Sequence, residues 1–142
     1  MLHAVSTGDE KAAERNHSQL KPYYSDCRRL LKDSENESLI TGLNLTRLLV
    51  QNRIAEFHVE LETVPTSVAQ SSYVQHATEL ESDLMEGAYG KILQQAGNKK
   101  NLPNAEYAAF YDTLTVTVRE EIATCIEKAY RSIDPQAAAK LM

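Results

Sequence analysis

The sequence predicts an all-α protein of stacked antiparallel helical hairpins, an α-solenoid that ends in a long amphipathic helix. Apolar residues recur at three- and four-residue spacing through most of the chain, as in helices with one buried face. Only five glycines and four prolines occur in 142 residues, and strand-rich folds need more turn residues. The composition, 42% hydrophobic and 25% charged, is that of a globular domain.

The first two helices are predicted from helix-forming composition and from a run that is apolar on nearly every side. Residues 9–21 are strong helix formers. Pro22 is expected to kink or end this helix near Lys21, because proline lacks a backbone donor. A polar break at 33–37 precedes residues 38–50, SLITGLNLTRLLV. This second helix is expected to have neighbours on several sides.

A helical hairpin is predicted around the polar residues 51–53, where Asn52 is a plausible cap. Because about three residues join the two helices, they must turn back on each other. Pro65 ends the second of them, and residues 65–72 are predicted as a loop. The buried face of this helix is defined by four apolar residues at helical spacing: Ile54, Phe57, Leu61 and Val64.

The second half of the chain predicts two further helices. One ends at Gly97, before a surface loop at 98–104. Its stripe consists of Leu80, Leu84, Ala88 and Ile92, widened by Met85 and Tyr89. The last runs from Tyr107 to Ile133, about 27 residues or 40 Å, and its apolar stripe is predicted to be core. In residues 113–118, polar and apolar residues alternate as in a strand. A helix is predicted there nevertheless, because the apolar stripe with helical spacing continues on both sides. Asp134 and Pro135 then begin another helix.

Charge and motif content narrow the function classes. The net charge of −5 and the pI of about 5.4 argue against sequence-independent nucleic-acid binding, and Lys99-Lys100 makes no basic patch. No apolar run is long enough for a membrane span, and the first residues do not resemble a secretory signal. Cys27 and Cys125 are interpreted as reduced, partly buried thiols in a cytosolic or nuclear protein. No metal, phosphate-loop or nucleophile motif occurs, so we name no catalytic, cofactor-binding or metal-binding residue.

The stretch EFHVELE at 56–62 is the strongest candidate for a chemical site. On a helix, Glu56 and Glu60 face away from the buried side, Glu62 is also outside it, and His58 lies at the border. Only His58 and Glu62 share a face, and two ligands do not hold a metal ion. A solvated face is therefore favoured; a partner-contacting face and a metal or acid–base site are the alternatives.

Other polar and aromatic residues are assigned ordinary roles. His17 and His76 are expected to be exposed, and Tyr23-Tyr24 are expected to pack half-buried. Solvation is the default role of the charges at Glu56, Glu60, Arg119 and Glu120. An exposed tyrosine among Tyr23, Tyr24 and Tyr73 would be a better interface anchor than these charges. A polar cluster inside the core is not expected.

Four stretches resemble one family in order and spacing. GLNLTRLLVQNRIAEFHVELETVP (42–65), LMEGAYGKIL (84–93) and REEIATCIEKAYRSI (119–133) are similar to the small PCI-domain, non-ATPase subunits of the proteasome regulatory-particle lid. QLKPYYSD (19–26) matches more weakly. The resemblance covers residues 10 to 135.

This resemblance implies a non-catalytic scaffold built of helical hairpins followed by a winged helix. It implies contacts with other lid subunits in a hetero-oligomeric complex of cytoplasm and nucleus that serves ubiquitin-dependent degradation. It implies no cofactor, no small-molecule substrate, no nucleic acid and no membrane. We expect residues 1–133 to form the helical-repeat part of the PCI domain and residues 134–142 to start a truncated winged helix.

Two alternatives stay open. The first is a PCI-type scaffold subunit of a related complex, either the signalosome or translation initiation factor three, which share the same plan. The second is a small helical enzyme or ligand-binding bundle, which would require a polar cluster inside the core.

Overall fold

The computed structural model describes residues 1–27, 30, 34–97, 103–134 and 136–138. These residues form helices and contain no strand, which confirms the all-α prediction. Of the predicted loop at 98–104, residues 98–102 lie outside the described part. The helices in chain order are α1 (Leu2–Ser6), α2 (Glu10–Ser25), α3 (Glu37–Val50), α4 (Ile54–Thr63), α5 (Thr66–Ala69), α6 (Ser72–Met85), α7 (Tyr89–Gly97) and α8 (Tyr107–Ala129).

Helix α3 is the centre of the structure. It packs against α2, α4, α5, α6 and α8, and its residues are buried on nearly every side, as predicted. Glu37, assigned to the polar break, instead begins the helix and is buried. At Gly42 the tyrosines Tyr73 and Tyr107 approach so closely that a Cβ atom would meet the Tyr107 hydroxyl at 2.5 Å.

The hairpin predicted between α3 and α4 is present, and Asn52 makes the turn. Asn52 has a φ of 55°, the left-handed conformation that asparagine tolerates better than most residues. Its N–H donates to the Leu49 carbonyl and the Arg53 N–H to the Leu48 carbonyl, both at 2.9 Å. Two orphan carbonyls of α3 are thereby satisfied, and the chain reverses into α4.

The single helix predicted through Leu80 and Ile92 is wrong, because Gly87 divides it into α6 and α7. Gly87 has a φ of 69°, and the Ala88 N–H donates to the Asp83 carbonyl at 2.8 Å. This is the same helix-ending motif as at Asn52. Met85, predicted to widen the buried stripe, is 58% exposed beside the turn.

Two predicted boundaries near the hairpin are also wrong. Helix α2 continues through Pro22 to Ser25, because proline removes a single bond near an exposed helix end, while the Pro22 carbonyl still accepts from Asp26. The segment 65–72, predicted as a loop, contains the one-turn helix α5. Val68 on α5 is 7% exposed and joins the core.

Helix α8 is continuous through residues 113–118, as predicted. Thr115 Oγ1 donates to the Tyr111 carbonyl at 2.8 Å, a bond that lets a β-branched residue stay helical. The helix ends at Ala129, not at Ile133, and Tyr130 is extended. The stripe is core only as far as Ile122, so the expectation that all of it is buried is wrong. Beyond it, Cys125 is exposed.

Two short segments complete the described chain. Helix α1, which the sequence pattern did not predict, contributes Ala4 and Val5 to the core. After α8, the amides of Ala137 and Ala138 donate to the Asp134 carbonyl at 2.9 and 3.0 Å, as expected for the first turn of a further helix. The rest of that helix and the start of a winged-helix subdomain stay predictions, because residues 139–142 lie outside the described part.

Candidate protein-interaction surfaces

The EFHVELE stretch forms the outer side of α4, and its polar groups point to different neighbours. Glu56 accepts from Arg53, whose Nη2 lies 2.5 Å away. His58 Nε2 lies 3.6 Å from Glu81 Oε1 on α6. Glu62 is exposed, as predicted, and so are Glu56 and His58. Because the side chains diverge, this stretch is suited to solvation or to contact with a partner rather than to holding one ion.

Glu60, the remaining polar residue of that stretch, forms an ion pair with α2. Its Oε1 lies 2.6 Å from the Lys21 Nζ, and the glutamate is only half-exposed. The prediction that Glu60 faces open solvent is therefore wrong. The cause is that α2 packs beside the hairpin, an arrangement that helical periodicity within α4 does not reveal.

Both histidines expected to be exposed are instead covered. His17 on α2 is 9% exposed, and burial lowers its pKa, with the nearby Glu60 opposing the shift. His76 on α6 is half-buried, and burial lowers its pKa as well. Tyr111 contributes to the burial of His76. Its hydroxyl lies 2.9 Å from His76 Nε2 and 3.1 Å from Gln95 Oε1. Both imidazoles therefore favour the neutral form.

A polar cluster does lie in the core, contrary to expectation. Arg47 on α3 is 3% exposed. Its Nη2 donates to Asn44 Oδ1 and its Nη1 to Gln51 Oε1, both at 2.9 Å. Arg47 Nη1 also lies 3.8 Å from Glu14 Oε1 on α2. Such a guanidinium, bonded on several sides, is suited to holding helices together.

Arg53 extends this cluster to the surface. Its Nη1 donates to Glu14 Oε1 at 2.6 Å, and its other nitrogens bond Glu56. The hydrogen bond from Arg53 lowers the pKa of Glu14 and of Glu56 below the usual range. The linked groups join α2, the α3–α4 turn and α4, so the cluster fixes the packing of the first helices. The signal in the sequence was Arg47, a charged residue within an otherwise apolar helix, and the sequence analysis did not recognise it.

Metal-ligating side chains do not converge in the part of the chain that the structure describes. Within it, no group of three or more histidine, cysteine, aspartate or glutamate residues is placed to hold an ion. The same residues include no helix that combines the length and the apolar character of a membrane span.

Three surfaces that carry exposed apolar side chains are the best candidates for binding. The first surrounds Tyr23 on α2, which is 57% exposed and borders an open hollow of about 780 Å³ with Leu20 and Pro22. This selects Tyr23 from the three tyrosines considered, since Tyr24 and Tyr73 are half-buried. The prediction that Tyr23 is half-buried is wrong.

The second surface is a groove between the α3–α4 turn, the α6–α7 turn and α8, with a volume of about 250 Å³. The third is the end of α8 beyond Ile122, where the stripe continues through the half-buried Ile126 to Tyr130, 53% exposed. Arg119 and Glu120 are exposed on α8, as predicted. Stacked hairpins carrying such surfaces define the class of helical-repeat binding proteins.

Comparison with known proteins identifies the family of the chain. Residues 35–142 match the model of the CSN8/PSMD8/EIF3K family, and the chain belongs to that family. It is 47% identical over 139 residues to the 26S proteasome non-ATPase regulatory subunit 8 homolog A of Arabidopsis thaliana, covering 98% of this chain and 51% of the relative.

More distant relatives carry similar names. The chain is 39% identical to the 26S proteasome regulatory subunit rpn12 of Schizosaccharomyces pombe, over 100% of this chain and 51% of the relative. It is 34% identical to the 26S proteasome non-ATPase regulatory subunit 8 of Caenorhabditis elegans, over 100% of this chain and 55% of the relative. The chain thus spans about half the length of the curated relatives it matches.

Proposed function

We propose that this chain is a non-catalytic scaffold subunit of the lid of the 26S proteasome regulatory particle. In that role it supports ubiquitin-dependent protein degradation through protein–protein contacts. The observation that carries the proposal is a match over 98–100% of this chain, at 34–47% identity, to about half of relatives named as proteasome regulatory subunits in a plant, a fission yeast and a nematode.

The geometry supports a binding role in two ways. The ionic groups of Glu14, Arg47 and Arg53 are engaged with one another across helices, so they stabilise the stack. The apolar residues Tyr23 in α2, Met85 in α6 and Tyr130 after α8 are exposed, and each offers area that a partner can bury. The partners we propose are other lid subunits, in a hetero-oligomeric complex of cytoplasm and nucleus, without nucleic acid, membrane, cofactor or small-molecule substrate.

The alternative is a scaffold subunit of the signalosome or of translation initiation factor three. The family description groups proteins of all three kinds, so family membership alone does not choose among them. The relatives described above are named as proteasome subunits, and this favours the lid.

Affinity capture tests the choice directly. The epitope-tagged chain, expressed at native level in its own cells, is captured in low salt and the co-purifying proteins are quantified by mass spectrometry. Lid subunits recovered in near-equal amounts are the expected result. Recovery of signalosome or initiation-factor subunits in their place would support the alternative, and capture of the chain alone would contradict all three assignments. Microscopy of the chain fused to a fluorescent protein tests the proposed distribution between cytoplasm and nucleus.

A further inference from the structure

The groove beside α8 has an apolar floor and a flexible apolar rim. Leu49, Leu114 and Val118 form part of its lining and are almost fully buried. Tyr89 and Met85 also line it, and Met85 is 58% exposed. An unbranched methionine side chain adapts its shape to different apolar surfaces. The groove is thus a ready site for an apolar side chain.

The volume of the groove favours a protein partner over a small ligand. It measures about 250 Å³, below the roughly 300–1,000 Å³ of pockets that enclose small molecules. The groove also lies at the surface of the helix stack. Asn52 of the α3–α4 turn lines it, as do Met85 and Tyr89 on either side of the α6–α7 turn at Gly87. An apolar anchor on a helical or extended segment fits such a site, as when amphipathic helices bind grooves.

The charged residue that lines the groove is acidic. Glu121 lines it, is exposed, and has no ion-pair partner in the described chain. Glu86 is exposed next to Met85 in sequence. The two cations adjoining the turns are already paired, Arg53 with Glu14 and Glu56 and Lys91 with Asp83. A partner therefore meets the Glu121 carboxylate, which no described cation pairs with, whereas Glu86 lies close enough to Lys91 to interact with its charge.

Helix dipoles also contribute charge beside the groove. Helices α3 and α6 end beside the groove, which places partial negative charge there. Helices α4 and α7 begin at Ile54 and Tyr89, which also line it, and they place partial positive charge there. The helix ends therefore contribute partial charges of both signs, and Glu121 contributes the full charge in the lining.

We propose that this groove docks a basic amphipathic segment of a partner protein, with one large apolar residue inserted beside Met85 and a flanking lysine or arginine residue facing Glu121. The proposal deepens the scaffold function and rests on it, because it assigns one of the contact surfaces and the chemistry of its occupant. The apolar residue anchors the segment, and the Glu121 carboxylate selects for positive charge.

The test uses the purified full chain and a fluorescein-labelled amphipathic helical peptide of leucine and lysine, followed by fluorescence anisotropy. Met85→Ala is expected to weaken binding about tenfold, as for an anchor contact. Val116→Ala is its matched control, because Val116 is 56% exposed on the same helix as Glu121 and does not line the groove. Glu121→Lys is compared with Glu120→Lys, an exposed neighbour outside the lining.

Three results would overturn the proposal. They are absence of binding, equal effects of Glu121→Lys and Glu120→Lys, and equal affinity for a peptide in which glutamate replaces lysine. Circular dichroism of each variant confirms that it is folded. Binding that is sensitive to Met85 and Glu121 and weakens with added salt supports the proposal.

The occupant is identified in cells by a photo-crosslinking residue in place of Met85. A crosslink to a partner segment with an apolar residue between lysines or arginines is expected. A crosslink to a second copy, or to another part of the same polypeptide, would overturn the proposal. Affinity capture of the Met85→Ala, Glu121→Lys chain separates the two hypotheses: loss of one contact with retention of lid subunits leaves the scaffold function standing.

Discussion

Gly42 lies where α6 and α8 both closely approach α3, and its substitution tests the packing of these helices. A Cβ atom added there would lie 2.5 Å from the Tyr107 hydroxyl, 2.8 Å from Tyr73 Cβ and 3.0 Å from the Tyr73 carbonyl carbon. The two Tyr73 atoms cannot move away by side-chain rotation, and Tyr107 is fully buried. The Gly42→Ala variant must therefore displace backbone.

Two opposing effects set the magnitude. Overpacking of a core costs about 1–3 kcal/mol, whereas replacing a mid-helix glycine with alanine gains about 0.8–1.0 kcal/mol. We expect Gly42→Ala to lower the free energy of unfolding by about 1 kcal/mol, measured by urea unfolding followed at 222 nm. Gly90→Ala is the matched control, because nothing lies within 4 Å of its added Cβ, and it should be neutral or stabilising.

The Tyr107 hydroxyl provides a second check on the same contact. It is buried without a hydrogen-bond partner in the described structure, so Tyr107→Phe removes an unsatisfied group and should not destabilise the protein. In the Tyr107→Phe background, Gly42→Ala should cost less than in the wild type, because one of the contacts is gone. If Gly42→Ala stabilises the protein as much as Gly90→Ala does, the reasoning about this contact is refuted.

Three further predictions concern stability. Phe57→Ala should cost about 3–5 kcal/mol, since Phe57 is fully buried, while Val59→Ala, at a site 59% exposed, should change stability by less than about 0.5 kcal/mol; equal urea midpoints would mean that the faces of α4 are misassigned. Arg47→Ala should cost about 1–3 kcal/mol by leaving buried acceptors unpaired, and a neutral result in thermal unfolding would contradict that. Because burial lowers the pKa of His17 and His76, the unfolded chain binds more protons below pH of about 6.5, and stability should fall from pH 7.5 to 5.5. Replacing both histidines should flatten this dependence; an unchanged slope would refute it.

Helical periodicity predicted the fold well where a clear polar break separated two apolar stripes. The α3–α4 hairpin followed from the polar residues 51–53 between two apolar stripes, and Asn52 has the backbone conformation expected of a cap. The division of α6 from α7 was missed because Leu84, Ala88 and Ile92 keep the i+4 spacing across Gly87. The glycine was the available signal, since a positive φ at a helix end favours that residue.

Tertiary contacts account for most of the other differences. Pro22 was expected to kink or end α2 near Lys21, but the helix continues past the proline to Ser25, and it packs against α3 with an ion pair from Lys21 to Glu60 of α4. His17 lies in a polar stretch, so its burial against α3 and α4 depends on helix packing rather than on local composition. The apolar groove beside α8 combines residues far apart in sequence, and no local pattern contains it.

Migration in a native gel tests the central claim most directly. Gently lysed cells expressing the tagged chain are separated, the gel is incubated with a fluorogenic proteasome substrate, and the tag is then detected by immunoblot. The account predicts that the tag co-migrates with the peptidase activity of the assembled 26S particle and with free regulatory particle. A tag found only at the position of the free chain, or with particles that lack proteasome subunits, would contradict it.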